Sequence, residues 1–184
     1  MRAISLLLAC LVTGAGMLGC GAVDPAVKTV KIFDLLAAFP RATIETPSPD
    51  HVSLGGFKVA GESHQGIFLH PASSVLFPPI HISANAVLRF KFGVMEDAWD
   101  KPGDGVEFTV FIQGPAAAKQ KIYSRYVDPK NNQEDRHWFE EQIPLLSYGD
   151  QDIRITLATG PGPANDSVDD WGVWAEPQIV LSGN

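Results

Sequence analysis

The chain has 184 residues and a formal net charge of −7 at pH 7, from 14 Lys and Arg against 21 Asp and Glu. An acidic chain repels polyanions, so we expect neither nucleic acid nor anionic lipid head groups as partners. Seventeen Gly and fourteen Pro are typical of short strands joined by turns. The length suits one domain with a sizeable apolar core.

The N-terminus has the pattern of an export signal. Arg2 precedes an uncharged apolar run, Ile4 to Leu18, which is short for a membrane-spanning helix and typical of a signal h-region. Met17-Leu-Gly-Cys20 resembles the bacterial lipobox, which implies that Cys20 carries the lipid. An ordinary signal peptide with an incidental Cys20 is the alternative. The predicted boundaries are 1–19 for the signal, 20–28 for the lipidated tether and 29–184 for the folded domain.

Acylation at Cys20 implies attachment to the membrane through two or more acyl chains, because a single chain binds only marginally. Gly21, rather than Asp, follows Cys20. In bacteria that sort lipoproteins by this position, that favours the outer membrane or the cell surface over the inner membrane. We therefore predict a cell-envelope location. Cys10 leaves with the signal and Cys20 is acylated, so the mature chain has no thiol for a disulfide, a metal or catalysis.

Three segments alternate between apolar and polar residues with a period of two, the clearest strand pattern in a single sequence. They are Ala86–Val94, Val106–Gln113 and Gln151–Leu157. One apolar and one polar face on each strand is typical of antiparallel sheets. The residues predicted to point inward are Leu88, Phe90, Phe92, Val94, Val106, Phe108, Val110, Ile112, Ile153, Ile155 and Leu157.

Weaker patterns extend the all-β prediction over the rest of the chain. Val30–Phe39 suits either a first strand or a brief helix. About eight to ten strands at even spacing predict an all-β antiparallel β-sandwich of jelly-roll type, with immunoglobulin-like packing as the alternative. The weaker strands are predicted at Ala42–Glu45, Gly66–Leu69, Ser74–Phe77, Lys121–Val127, Trp138–Ile143 and Val173–Leu181.

An ordered set of short motifs in the second half of the chain resembles a known family. Gly103-Asp-Gly-Val106 leads into a central strand, and Asp170-Trp-Gly-Val-Trp174 leads into the last one. In this order, over about residues 85–181, the motifs are similar to the NPCBM family of novel carbohydrate-binding modules. The resemblance implies a galactose-binding-like jelly roll, a non-catalytic role and glycan binding. Val173 and Glu176 depart from the family pattern, in which a small residue and Asp or Gly are usual.

Tryptophans are the candidate sugar-binding residues, since a flat indole matches the apolar face of a pyranose. Trp99 lies in a polar loop, and Trp171 and Trp174 stand three apart at a turn into a strand, so they cannot share one face of it. We predict that Trp174 points inward and that Trp171 is the exposed platform. Packing of both at the sandwich edge is the alternative. The hypothesised site comprises Trp99, Asp170, Trp171 and Trp174, whereas Trp138 is predicted to lie in the core.

Acidic loops also suggest a structural calcium ion, because calcium takes six to eight oxygen ligands. The candidate ligands are Asp104, Asp166 and Asp169, and solvated acidic turns are the alternative interpretation. No other cofactor is expected.

Catalysis has no recognisable motif. The five histidines form no zinc motif, and no Gly-x-Ser-x-Gly elbow occurs. The sequence therefore predicts no enzyme. It predicts a membrane-tethered, non-catalytic carbohydrate-binding-like module whose partners are the membrane, through its lipid, and a polysaccharide. The alternative is a structural or protein-interaction lipoprotein that docks on an envelope protein and has no glycan ligand.

Overall fold

The computed structural model describes residues 30–181. The strands are β1 (Val30–Asp34), β2 (Thr43–Glu45), β3 (Val52–Val59), β4 (Glu62–Leu69), β5 (Ser73–Leu76), β6 (Ile80–Ile82), β7 (Ala86–Val94), β8 (Val106–Gln113), β9 (Gln120–Val127), β10 (Phe139–Pro144), β11 (Gln151–Pro161) and β12 (Gly172–Leu181). The helix α1 (Leu35–Ala38) follows β1. Single 3-10 turns lie at Phe39–Arg41, Pro49–His51, Glu96–Ala98, Gln133–Asp135 and Leu146–Tyr148.

Two antiparallel sheets pack face to face. Sheet A has the strand order β10-β7-β12-β4-β3, with β1 also paired to β12. Sheet B has the order β2-β5-β11-β8-β9, with β6 also paired to β11. The predicted all-β jelly-roll sandwich is confirmed. The predicted signal, Cys20 and the tether lie outside the described residues. Within residues 30–181 no helix is long and apolar enough to cross a bilayer.

The core lies between the sheets, on the faces that alternation predicts. Every residue predicted to point inward is buried, and the most exposed of them, Val94, is 3% exposed. Trp174 is fully buried at the centre of this core. Its ring centroid lies 5.1 Å from that of Phe90 and 5.3 Å from that of Phe108. Each such side chain contributes about 1.5–3 kcal/mol by leaving water, so these aromatic contacts hold the two sheets together.

The first described segment contains both of the structures considered for it. Val30–Asp34 forms a strand, and Leu35–Ala38 forms one helical turn. Asp34 separates them because its Oδ1 accepts a hydrogen bond from the Leu36 N–H (2.9 Å) and ends the strand as a helix cap. β3, β6 and the first half of β4 were not predicted. Gly55-Gly56 interrupts the alternation of β3 and is more typical of a turn.

β3 and β4 form a hairpin, residues 52–69, which folds over the outer face of sheet A. β4 pairs with β3 along its whole length but with β12 only over Gly66–Leu69. The bend needs a glycine, since a Cβ on Gly66 would lie 2.6 Å from the Trp174 carbonyl oxygen. Val173 and Ala175, which point away from the core, are 0% exposed. The hairpin thus adds a local third layer.

The tip of the hairpin is anchored beyond β7, on the far side of β12. The Gly61 N–H donates to Glu96 Oε2 (3.0 Å), and Lys58 Nζ lies 2.6 Å from Glu96 Oε1. The Trp138 indole N–H donates to the Glu62 carbonyl oxygen (3.1 Å). These contacts fix the hairpin across sheet A.

Candidate functional site at one loop end

Three loops meet at one end of the sandwich, and we call this region the loop end. They lie at residues 95–105, 128–136 and 162–171, in the connections from β7 to β8, from β9 to β10 and from β11 to β12. The loops are hydrogen-bonded to one another. The Met95 N–H donates to the Trp171 carbonyl oxygen (3.0 Å) and Lys130 Nζ donates to the Pro102 carbonyl oxygen (2.9 Å). Such bonds give the loop end a defined surface.

Trp171 lies at the loop end and is partly exposed. Its indole packs on the core. The Lys101 ammonium nitrogen lies 3.6 Å from the ring centroid, in cation–π contact, and 3.7 Å from Asp169 Oδ1. Trp171 therefore offers a braced aromatic surface, with a cation over the ring and a carboxylate beside that cation.

Trp99 is the second partly exposed indole of the loop end. Its N–H donates to the Val94 carbonyl oxygen (2.9 Å), which fixes the ring against the end of β7. The Arg136 guanidinium carbon lies 5.3 Å from the ring centroid, and an Arg136 nitrogen lies 3.1 Å from Asp100 Oδ1. The two indoles thus have similar surroundings, each with a cation near its ring and a carboxylate near that cation.

Trp174 is not available to a ligand, so its assignment to the sugar site is wrong. The residue is 0% exposed. β12 begins at Gly172, and Trp174 pairs with Phe92 of β7 and Ile67 of β4, two residues that face the core. The prediction that Trp174 points inward is confirmed.

Asp170 lies beneath the loops and does not reach their surface. It is 2% exposed, and its Oδ1 accepts a hydrogen bond from the Gly105 N–H (3.0 Å), whereas its Oδ2 has no partner within residues 30–181. Burial raises the pKa of Asp170 to about 7, the Gly105 bond opposes this shift, and nearby Asp104 adds to it. Its place among the sugar-contacting residues is therefore corrected, and Asp170 supports the loop structure instead.

Each candidate calcium ligand already has a partner: Asp104 and Asp169 contact a neighbouring loop, and Asp166 contacts its own. Asp104 Oδ2 accepts from the Ala164 N–H (2.7 Å), and Asp166 Oδ1 accepts from the Val168 N–H (2.9 Å). Asp169 pairs with Lys101. Among residues 30–181 no group of three or more His, Cys, Asp or Glu side chains is arranged to hold a metal ion. The geometry adds no support to the calcium hypothesis, which stays a prediction.

Trp138 is a partly exposed indole that the sequence wrongly assigned to the core. It lies on the outer side of sheet A against the hairpin, edge-on to His64 at a centroid distance of 5.3 Å. His64 Nδ1 lies 3.0 Å from Glu176 Oε1, and His64 Nε2 lies 3.3 Å from Lys91 Nζ. No local pattern could find this cluster, because its members come from four different strands or loops.

The structure explains one of the two departures from the motif, Val173, but not Glu176. Glu176 has a φ of 49° at the bulge of β12, a conformation that favours Gly, Asn or Asp. Val173 fits beneath the hairpin because Gly66 leaves room, since a Cβ on Gly66 would lie 3.0 Å from Val173 Cγ1.

Comparisons with known proteins support the fold but assign the chain to no family. No protein-family model matches the chain. An uncharacterised protein of Archaeoglobus fulgidus is 35% identical over 158 residues, which cover 78% of this chain and 40% of that protein. The chain therefore spans well under half of the length of that curated relative.

Several solved structures share the sandwich at low sequence identity. A CBM51 module from Clostridium perfringens GH95, in complex with methyl-galactose, has a TM-score of 0.50 and 12% identity, covering 74% of this chain and 87% of that one. TmCBM61, in complex with beta-1,4-galactotriose, has a TM-score of 0.50 and 12% identity, covering 79% and 92%. The K3 cleaved adhesin domain of Lys-gingipain from Porphyromonas gingivalis w83 has a TM-score of 0.52 and 12% identity, covering 84% and 100%. These similarities establish a fold that carbohydrate-binding modules use.

Proposed function

We propose that the chain is a non-catalytic carbohydrate-binding module of the bacterial cell envelope, tethered through a lipid on Cys20, and that Trp171 and Trp99 bind the glycan. One observation carries the proposal. The loop end of a fold used by carbohydrate-binding modules presents two partly exposed indoles, and both rings pack against the core. The complexes of two fold neighbours with galactose sugars make galactosides the first ligands to test.

The surroundings of the indoles suit a sugar. The apolar face of a pyranose would cover the Trp171 ring, and Lys101 and Asp169 would then supply a donor and an acceptor for hydroxyl groups. Lys101 has to leave the ring face for this to happen. A cation–π contact at an exposed site is worth about 0.5–1 kcal/mol, so its displacement lowers the affinity by less than about tenfold. We expect weak, reversible binding.

A non-catalytic role agrees with the surroundings of Asp170, whose carboxyl has a pKa close to neutrality. A general acid or base must come within hydrogen-bond reach of its substrate. The space beside Asp170 has a volume of only about 10 Å³ and is lined by Gly103, Gly105, Asp128 and Asp169, among others. That space has room for about one water molecule, and Asp170 itself is only 2% exposed.

Glycan binding is tested by titrating the soluble domain with methyl-galactose and beta-1,4-galactotriose, followed by a broad glycan array. Trp171→Ala should weaken binding at least tenfold, because stacking of a sugar depends on the whole ring, and Trp99→Ala should weaken it less. Trp138→Ala is the matched control, since Trp138 is also partly exposed but lies on another face. Absence of binding across the array, or an equal loss in the control, would refute the proposal and favour the protein-docking alternative.

The tether is tested separately in a bacterial host. Cys20→Ala should move the protein from the detergent phase to the aqueous phase in phase partitioning, and mass spectrometry of the native protein should find acyl chains on Cys20. A native N-terminus without lipid would remove the tether from the proposal and leave the binding site untouched.

A further inference from the structure

A concave region lies at the end of sheet B opposite the loop end. β8 begins at the loop end and finishes at Gln113, roughly 20 Å away at the usual rise per residue. A groove of about 480 Å³ lies there, lined by Pro79, Gln113, Gly114, Pro115, Asp152 and Arg154. This volume is within the range of small-molecule sites.

Strand alternation places the charged side chains of the groove. Ile153 and Ile155 are 0% exposed and face the core, so Asp152 and Arg154 face outward from the same side of β11. Gln113 is the register partner of Arg154 across the β8–β11 pair. A guanidinium and an amide therefore stand side by side on the groove wall.

Arg154 is an unpaired cation in an acidic protein. Within residues 30–181 it has no hydrogen-bond or ion-pair partner, whereas Arg89 and Arg136 pair with Glu140 and Asp100. The Asp152 carboxylate, two residues away, is 3.1 Å from His81 Nδ1 instead. The guanidinium fork is thus left free to bind an anion in the groove. Its geometry matches a carboxylate, which it binds through two parallel hydrogen bonds.

The other groups of the groove restrict the kind of anion. Asp152 repels a second negative charge. Asp152 Oδ1 lies 3.1 Å from His81 Nδ1 and Gln113 Nε2 donates to the Ala117 carbonyl oxygen (3.4 Å), so Asp152 Oδ2 and Gln113 Oε1 are the acceptors offered to hydroxyl groups. Pro79 and Pro115 supply apolar surface. The lining therefore favours a single carboxylate on a small body rich in hydroxyl groups over a sulfated or phosphorylated polyanion.

We propose that this groove is a second saccharide site, specific for a hexuronate residue whose carboxylate binds Arg154. The site is separate from the loop end, and ligand binding there does not require the galactoside site proposed at the loop end. Two such sites on opposite ends of sheet B would let one module hold two parts of an acidic glycan.

The experiment is an NMR titration of the soluble domain with galacturonate, with neutral galactose, acetate and dialanine as comparison probes at equal millimolar concentration. Galacturonate should shift the backbone amide signals of Gln113, Gly114 and residues 152–154. Arg154→Gln should weaken its binding at least tenfold, as expected for loss of a charge-assisted pair. Arg154→Lys keeps the charge but loses the fork, and should also weaken it several-fold.

Arg41→Gln is the matched control, because Arg41 is an exposed arginine outside the groove and the change in net charge is the same. Its affinity for galacturonate should equal that of the parent protein. Equal losses in the two Gln variants, or shifts confined to the loop end, would overturn the proposal. Equal binding of acetate or dialanine at the groove would show a carboxylate or peptide site and would overturn the saccharide assignment. Unchanged signals around Trp171 in Arg154→Gln would show that the two sites are independent.

Discussion

The outer faces of the two sheets differ in what covers them. On sheet A the hairpin of residues 52–69 covers β12, and outward-facing Val173 and Ala175 are 0% exposed. On sheet B no hairpin lies over the outer side of β8 and β11 in the described part of the chain. Arg154 is exposed and Ala158 partly exposed there, although outward-facing Thr109 and Thr156 are only 7% and 2% exposed. The outward positions of β8 and β11 in sheet B are therefore polar or partly exposed, whereas β12 of sheet A is apolar on both faces.

A charged side chain introduced on each outer face should destabilise the two sheets to very different extents. Val173→Asp places a carboxylate under the hairpin without a partner, and we expect a loss of about 3–5 kcal/mol in the free energy of unfolding. Ala158→Asp makes the matched change on central strand β11 of sheet B, where the carboxylate stays hydrated, and should cost less than about 1 kcal/mol. Urea unfolding measures both values. Equal losses would mean that the two outer faces are not different.

The bend of the hairpin gives the next largest effect. Gly66→Ala brings a Cβ to 2.6 Å from the Trp174 carbonyl oxygen, and the backbone shift that follows should cost about 1–3 kcal/mol. Gly56→Ala is the control on the partner strand, since its Cβ would meet only the flexible end of Gln65 at 3.2 Å. Thermal unfolding of both variants compares the sites. A Gly56 variant as unstable as the Gly66 variant would contradict the close approach as the cause.

These differences explain what the sequence reveals and what it conceals. β7, β8 and β11 were predicted with their buried residues because polar residues on one face of each strand alternate with apolar residues on the other. β3 was missed because Gly55-Gly56, which permits the hairpin to fold back, is typical of a turn. Trp138 was misassigned for the same reason, since its partners His64 and Glu62 belong to that hairpin.

The loop end shows the same limit at a smaller scale. Its position, and the exposure of Trp171 and Trp99, follow from turn residues and from the inward orientation of Trp174. The burial of Asp170 does not, because acidic residues in a turn are typical of a solvated surface. It depends on packing between loops that are about 65 residues apart in sequence, as the Gly105–Asp170 bond shows. A single sequence does not encode that contact in any local pattern.

Asp170 is a buried carboxylate of the native protein, like the one that Val173→Asp would introduce. Its raised pKa predicts that the stability of the protein depends on pH. Its pKa is raised to about 7 in the folded protein from 3.8 in the unfolded chain, so the folded state binds the proton more tightly. Stability should therefore fall as the pH rises from about 4 to 7. Asp170→Asn keeps an acceptor for the Gly105 N–H and removes the charge. It should raise the melting temperature at pH 8 and change it little at pH 4.

Asp50→Asn is the control for this prediction, because Asp50 is an exposed carboxylate outside the loop end. It should leave the pH dependence nearly unchanged. A melting temperature that Asp170→Asn lowers at every pH would mean that the ionised carboxylate is needed. Stabilisation of the parent protein by calcium, lost in Asp170→Asn, would then revive the calcium hypothesis.

The smallest expected effect concerns the anchor of the hairpin tip, and it tests whether the covering layer opens by itself. Glu96 receives the Gly61 N–H and pairs with Lys58, and these contacts hold the pKa of Glu96 below its usual value, with the Lys58 bond as the largest cause. Glu96→Ala removes both contacts at a partly exposed site. Hydrogen exchange of the amides in residues 57–64 should accelerate, while exchange in β8 and β11 should stay the same, because local opening does not require unfolding of the core. Glu140→Ala, which removes the Arg89 partner on the same outer face, should affect neither group. If the β8 and β11 amides accelerate together with the hairpin, the hairpin and the core form one cooperative unit, and the covered face of sheet A is as permanent as the core beneath it.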